Sequence, residues 1–258
     1  MKYLLLIIAI VGAALGATAQ SAAQRADSAY NKEDYRLAIS LYNEDLATNG
    51  PDAQVYYNLG NAYYRNDNLG RAVLCYERSL RLDPTDADAR HNLEFVRSRI
   101  QDRPEDDTSF LAALHHNILG SATANAWAWI ALTLFVLFLG AAALYIFSPG
   151  VAVRKAGFFG GIVLLFVFGY SLYVAIDSAA IARSHNYAVV TAPSTILSSS
   201  PRPSRTSADR VVSIHEGTTV EIVDSVATPD DPQSPMWYNV KVNNATRAWL
   251  RASDVERI

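Results

Sequence analysis

Four regimes of hydrophobic and polar positions follow one another along the chain. Residues 3–15 form an apolar run behind a single Lys2, closed by the small residues Ala17-Thr18-Ala19. This pattern predicts a secretory signal over residues 1–19, with an uncleaved anchor as the alternative. From about residue 20 to 100, apolar residues recur at helical spacing among polar ones. Two uninterrupted runs follow, 126–147 and 156–176, each free of charged residues. About 20 apolar residues at 1.5 Å each cross a hydrocarbon core of roughly 30 Å, so both are predicted transmembrane helices. After them, short alternating runs separated by turn residues predict several brief strands.

The segment between the two spans, 148–155, carries Arg154 and Lys155 as its charges. The positive-inside rule puts this loop in the cytoplasm and both ends of the mature chain outside. Trp127 and Trp129 open the first span, and Tyr170 and Tyr173 lie near the end of the second. They stand where an aromatic belt meets the outer interface. The expected location is therefore the inner (cytoplasmic) membrane, with two spans and periplasmic terminal domains.

The helical segment contains a repeat. Tyr30, Ala38, Tyr42 and Leu46 recur as Tyr64, Ala72, Tyr76 and Leu80, each 34 positions later. This is the period of tetratricopeptide repeats, and the unit from Ala53 to Asp86 resembles that family closely. Tyr56, Leu59, Gly60 and Tyr63 fall on its first helix, Ala72 and Tyr76 on its second, and Pro84 ends it. Gly60 and Ala72 let two helices approach, Tyr63 and Tyr76 fill the remaining space, and Pro84 lacks the amide needed to continue. The first unit departs from the pattern at Ala26 and Asp45, and residues 88–100 read as a solvating cap helix. The array is expected over residues 20–103. The resemblance implies a concave groove lined by Tyr57, Asn58, Asn61, Tyr64 and Arg65, with His91 and Asn92 from the cap helix. Peptide capture and plain solvated surface are both open for these residues. Asp88 stands where a carboxylate-clamping lysine would be, which argues against capture of a peptide C-terminus.

Beyond the linker at 101–109, residues 108–120 predict an amphipathic helix on the membrane surface. Adjacent His115 and His116 lack the i, i+4 spacing of a shared metal site and read as interfacial surface. The strand region, 186–258, resembles a bacterial SH3-like domain in its order of features: "AVVTAP", a Ser/Pro-rich loop, "SIHEGTTVEIV", "MWYNVKV" and "RAWLRASDVERI". In such domains exposed aromatics grip proline-rich or cell-wall peptides. Tyr187, Trp237, Tyr238 and Trp249 are candidates here, and core filling is the equal alternative.

Composition narrows the function. The chain is 50% hydrophobic and 18% charged with a net charge of -3, apolar for a soluble protein and without the basic excess of nucleic-acid binders. Cys75, the one cysteine, excludes an internal disulfide and a thiolate metal centre. Absence of HExxH, GxSxG, P-loop and GxGxxG patterns predicts no enzyme and no cofactor.

The expected fold is thus a multidomain membrane protein: an all-α tetratricopeptide array, two transmembrane helices and a small all-β SH3-like barrel. That order, with stretches such as "HNLEFVRSRI" and "RASDVERI", resembles the BatE family of the Bacteroides aerotolerance operon. The resemblance implies a non-enzymatic membrane component working beside von Willebrand factor A-type Bat proteins and a MoxR-type ATPase. A cell-wall sensor acting through the SH3-like domain is the alternative expectation.

Overall fold

The computed structural model describes residues 21–102, 109–184, 186–203, 209–228, 236–242 and 246–258. The signal over residues 1–19 lies outside the described residues. The described helices are α1 (Ala22–Asn31), α2 (Tyr35–Asn49), α3 (Ala53–Arg65), α4 (Leu69–Leu82), α5 (Ala87–Arg97), α6 (Phe110–Leu119), α7 (Ala124–Phe147) and α8 (Val151–Arg183).

Helices α1 to α5 start where side chains cap them. Ser21, Asp34, Asp52, Asn68 and Asp86 each accept a hydrogen bond from a first-turn amide, satisfying donors that have no partner within the helix. Their apolar faces pack into one core containing Ala26, Ala38, Tyr42, Leu59, Tyr63, Ala72, Tyr76, Leu93 and Val96. Gly60 is required there, because a Cβ at that position would lie 2.8 Å from the buried Tyr76 ring. Asp45, the unusual residue of the first unit, is buried and accepts from Ala23 N at 3.2 Å and Asn49 Nδ2 at 3.0 Å. Its carboxylate therefore braces the opening helix of its own unit rather than disrupting it.

Helices α7 and α8 form an antiparallel hairpin, with mean hydropathy of 2.5 and 2.1 over their most apolar windows. Both are long and apolar enough to cross a membrane. Their outer surfaces are large, apolar and uncovered, as at Phe147 and at Phe166, the latter 76% exposed. The helices extend past the expected spans at three ends, α7 beginning at Ala124 rather than 126. α8 begins at Val151 rather than 156 and runs to Arg183 rather than 176, which reduces the connecting loop to Ser148–Gly150. Pro149 is the last proline before residue 183, so the helix can start directly after Gly150, and Arg154 and Lys155 lie within the first turns of α8.

The C-terminal region is an antiparallel sheet of β1 (Tyr187–Val190), β2 (Ser194–Ser198), β3 (Arg210–His215), β4 (Thr219–Ala227), β5 (Met236–Lys241), β6 (Arg247–Arg251) and β7 (Val255–Arg257). Their order is β3-β2-β6-β5-β4-β1-β7. Alternate residues face a core of Ala188, Val190, Leu197, Val220, Val240, Ala248 and Leu250.

The sheet and the helical repeats are docked together. The turn between β3 and β4 fits between the start of α4 and the end of the cap helix. Asp102 accepts from His215 N at 2.6 Å and Thr218 Oγ1 at 2.9 Å, and its Oδ1 lies 3.1 Å from His215 Nδ1. Glu216 Oε2 accepts from Gly70 N at 3.1 Å, placing a carboxylate at the positive end of α4. Gly217, at φ +85°, could carry no side chain, since a Cβ would sit 2.6 Å from Ile100. On the other side, Arg78 pairs with Glu256 at 3.0 Å and bonds Arg257 O, covering the β7 edge. Arg81 reaches Ile181 O and Ala182 O at the end of α8, as well as Ile258 O.

Candidate functional site

The groove residues are held by a polar ladder with the period of the repeat. The Tyr42 hydroxyl donates to Asp27 Oδ1 at 2.5 Å, and Asn58 Nδ2 donates to the same atom at 3.2 Å. One repeat later, the Tyr76 hydroxyl donates to Asn61 Oδ1 at 2.6 Å and Asn92 Nδ2 donates to it at 2.9 Å. All three members shift by 34 positions: Asp27 to Asn61, Tyr42 to Tyr76 and Asn58 to Asn92. Each rung thus ties the second helix of a unit, the first helix of that unit and the first helix of the next. Burial raises the Tyr42 and Tyr76 phenols well above their ordinary range, with the Asp27 carboxylate adding to the effect at Tyr42. Both stay protonated donors.

Tyr57 is half-buried beside this ladder. Its hydroxyl lies 3.3 Å from Asn92 Nδ2, and its ring is 6.1 Å from that of Tyr76. Asn58, Asn61 and Asn92 therefore spend part of their hydrogen-bonding capacity on inter-repeat bracing. Asn58 Oδ1 also accepts from Gln54.

Aromatic and cationic groups flank the polar centre. At one end Arg65 donates to the Tyr35 hydroxyl at 2.8 and 3.0 Å and lies over its ring, which meets Tyr30 edge-on. At the other, Tyr64 meets Phe95 edge-on at 5.7 Å, while Arg99 bonds the Tyr64 hydroxyl and covers the Phe95 ring at 4.2 Å. Phe95, 42% exposed, stands one repeat after Asn61 and was not among the residues expected along the groove. The 34-residue register was the signal that would have found it. Together these groups form a surface with amide, phenol and guanidinium groups between aromatic edges, suited to an extended peptide or a helix face.

The β-sheet candidates divide. Trp237 is 2% exposed, with the Arg251 guanidinium over its ring. The expectation of Trp237 as a peptide contact is corrected: its indole fills the interior of a small sheet and offers no face to a ligand. Trp249 is half-buried on the neighbouring strand, opposite Asn239, and Tyr187 is exposed.

His115 leaves the surface role expected of it. Its Nδ1 is 3.1 Å from the Tyr170 hydroxyl, its Nε2 is 3.1 Å from Asp177 Oδ2, and its ring stacks on Tyr173. It pins α6 to α8. Cys75 is buried, and burial pushes its thiol up to about 12, so it is unreactive at neutral pH. Among the described residues no cluster of His, Cys, Asp and Glu could hold a metal ion.

Residues 53–86 match the family model described as tetratricopeptide repeat. These are the residues of α3, α4 and the turn before α5. No curated protein matches the chain. A tetratricopeptide repeat binds other proteins, so the class supported is a protein-interaction scaffold built from a helical repeat region, an apolar helix pair and an antiparallel β-sheet domain.

Proposed function

We propose that this chain is a non-enzymatic scaffold, anchored in the inner membrane by α7 and α8, that holds protein partners in the groove of its repeats. The observation that carries the reading is the 34-residue ladder with its flanking Tyr64, Phe95 and Arg99. It makes a rigid, mixed aromatic and polar surface while leaving ring edges exposed. The uncovered apolar surface of the helix pair supports membrane insertion. Arg154 and Lys155 support a cytoplasmic connection and periplasmic terminal domains.

By the order of its parts, we read it as a BatE-type protein, with an SH3-like C-terminal domain. Its partners are then von Willebrand factor A-type Bat proteins in the membrane, joined with a MoxR-type ATPase in oxygen tolerance or envelope stress. Copurification from native membranes in a gentle detergent tests this. The wild type should retain a von Willebrand-type partner and a Tyr64→Ala/Phe95→Ala variant should lose it. Retention by the variant would overturn the groove assignment, and no such partner with the wild type would overturn the complex. A cytoplasmic signal from a reporter fused after Ile258 would overturn the topology.

A further inference from the structure

A groove of about 370 Å³ opens at the turn end of the helix hairpin, lined by Tyr145 of α7 and by Val151, Arg154, Lys155, Phe158 and Phe159 of α8. Val151, Lys155 and Phe159 are spaced four apart, as are Arg154 and Phe158, so they form two adjoining rows along the helix. The apolar wall is accessible, with Val151 68% exposed and Phe159 64%. The rings of Tyr145 and Phe158 lie 5.5 Å apart and join the two helices across the groove, while Phe158 meets Phe159 edge-on. Both phenylalanines stand one helical turn beyond the two cations, toward the middle of the hairpin. The groove is therefore charged at its outer end and apolar at its inner one.

The cations have no counter-ion in the hairpin. Arg154 lies over the Tyr145 ring at 5.7 Å, which keeps its guanidinium at the groove. Among the described residues neither Arg154 nor Lys155 forms an ion pair. α7 carries no charged residue, and the first carboxylate along α8 is Asp177, 22 positions beyond Lys155 and about 33 Å away at 1.5 Å per residue. The hairpin cannot neutralise these charges from within. At the edge of a hydrocarbon core, the anions that come attached to an apolar stem are lipid phosphates.

We propose that this groove binds an anionic phospholipid of the phosphatidylglycerol class, its phosphodiester at Arg154 and Lys155 and the start of an acyl chain against Phe158 and Phe159. The inference rests on the membrane-anchored reading given above. The two positive groups also set the selectivity. A zwitterionic lipid brings a cation beside its phosphate, and that cation is repelled, whereas an anionic headgroup brings the negative charge alone.

Native mass spectrometry of the full chain in a neutral detergent tests the assignment. The separate arms are phosphatidylglycerol, phosphatidylcholine with the same chains, and glycerophosphoglycerol, the headgroup without chains. Phosphatidylglycerol should bind about thirtyfold more tightly than phosphatidylcholine, each basic residue contributing about fivefold. Lys155→Gln should lose about fivefold of that preference and Arg154→Gln/Lys155→Gln all of it. Arg183→Gln, which removes the same charge at the opposite end of α8, should match the wild type. The headgroup alone should bind at least about tenfold more weakly than the lipid, because it brings no chain to the phenylalanine wall. Equal binding by the headgroup alone would make the site one for a free phosphodiester and overturn the lipid assignment. Equal binding of the two lipids by the wild type, or an unchanged preference in the folded double variant, would overturn the proposal. If the double variant does not fold, an unchanged preference in a folded Lys155→Gln protein would do so. A chain that stays dispersed without detergent and takes up neither lipid would overturn the membrane reading as well.

Discussion

The helical repeats and the β-sheet domain are two solutions to building a small module. In the repeats a whole hydrogen-bonded rung recurs 34 residues on, Tyr42–Asp27–Asn58 reappearing as Tyr76–Asn61–Asn92. In the sheet nothing recurs. Its core is gathered from seven strands whose neighbours in space are often distant in sequence, as where β6 pairs with β2. A repeat damaged at one rung can lean on the next, whereas a sheet deprived of a central residue has no duplicate. The docked turn at Asp102 and Glu216 joins these two behaviours, so damage on one side is transmitted by contact rather than by sequence.

The comparison can be broken most forcefully at Trp237. Trp237→Ala should destabilise the sheet by about 3–5 kcal/mol, as for other buried aromatic deletions. Hydrogen exchange should rise in β4 to β6 while α3 and α4 stay protected. Gly60→Leu is the matching insult to the repeats. Its side chain must displace the Tyr76 ring, for a loss of about 1–3 kcal/mol in chemical denaturation. Exchange should rise first in α3 and α4.

The junction should respond next. Burial pushes the Asp102 carboxyl up, but the hydrogen bonds from His215 and Thr218 outweigh it and hold its pKa below the ordinary value. Its contribution is therefore present above the unfolded value near pH 4 and fades as pH falls below that through the folded value. Asp102→Asn should remove most of this acid dependence. Limited proteolysis should then cut near residues 101–109 more readily, with both domains intact.

The smallest effect belongs to a single rung. Tyr76→Phe should cost about 1 kcal/mol, because it removes one hydrogen bond and leaves the ring in place. Tyr42→Phe should match it in thermal unfolding if the rungs are equivalent. A difference well above that figure would mean that the end rung and the inner rung carry unequal loads.

The legible parts of this protein were those governed by local spacing. The repeat period, the division of Tyr56 and Tyr63 from Tyr57 and Tyr64, the two apolar helices and the presence of strands all follow from periodicity, because side-chain direction repeats with the backbone. The register alone singled out Tyr57, Asn58, Asn61, Tyr64, Arg65 and Asn92, and the structure sets Asn58, Asn61 and Asn92 in the polar ladder, Tyr57 beside it, and Tyr64 and Arg65 among the rings and guanidiniums that flank it. Phe95 was not singled out, since its place depends on applying the register to a cap helix that has diverged from the pattern. Trp237 was misassigned because alternation reports which face a strand residue occupies but not which face is covered.

Docking of the sheet on α4 was decided by tertiary structure alone. Asp102 and His215 are 113 residues apart, and Arg78 and Glu256 178 apart. No local periodicity encodes such pairs, whose formation depends on the loop-closure cost of the whole intervening chain and on the surfaces it brings together. The sequence by itself determined the elements and their buried stripes, through side-chain volume and spacing. Their assembly into one joined body, with a covered tryptophan, belongs to the tertiary structure.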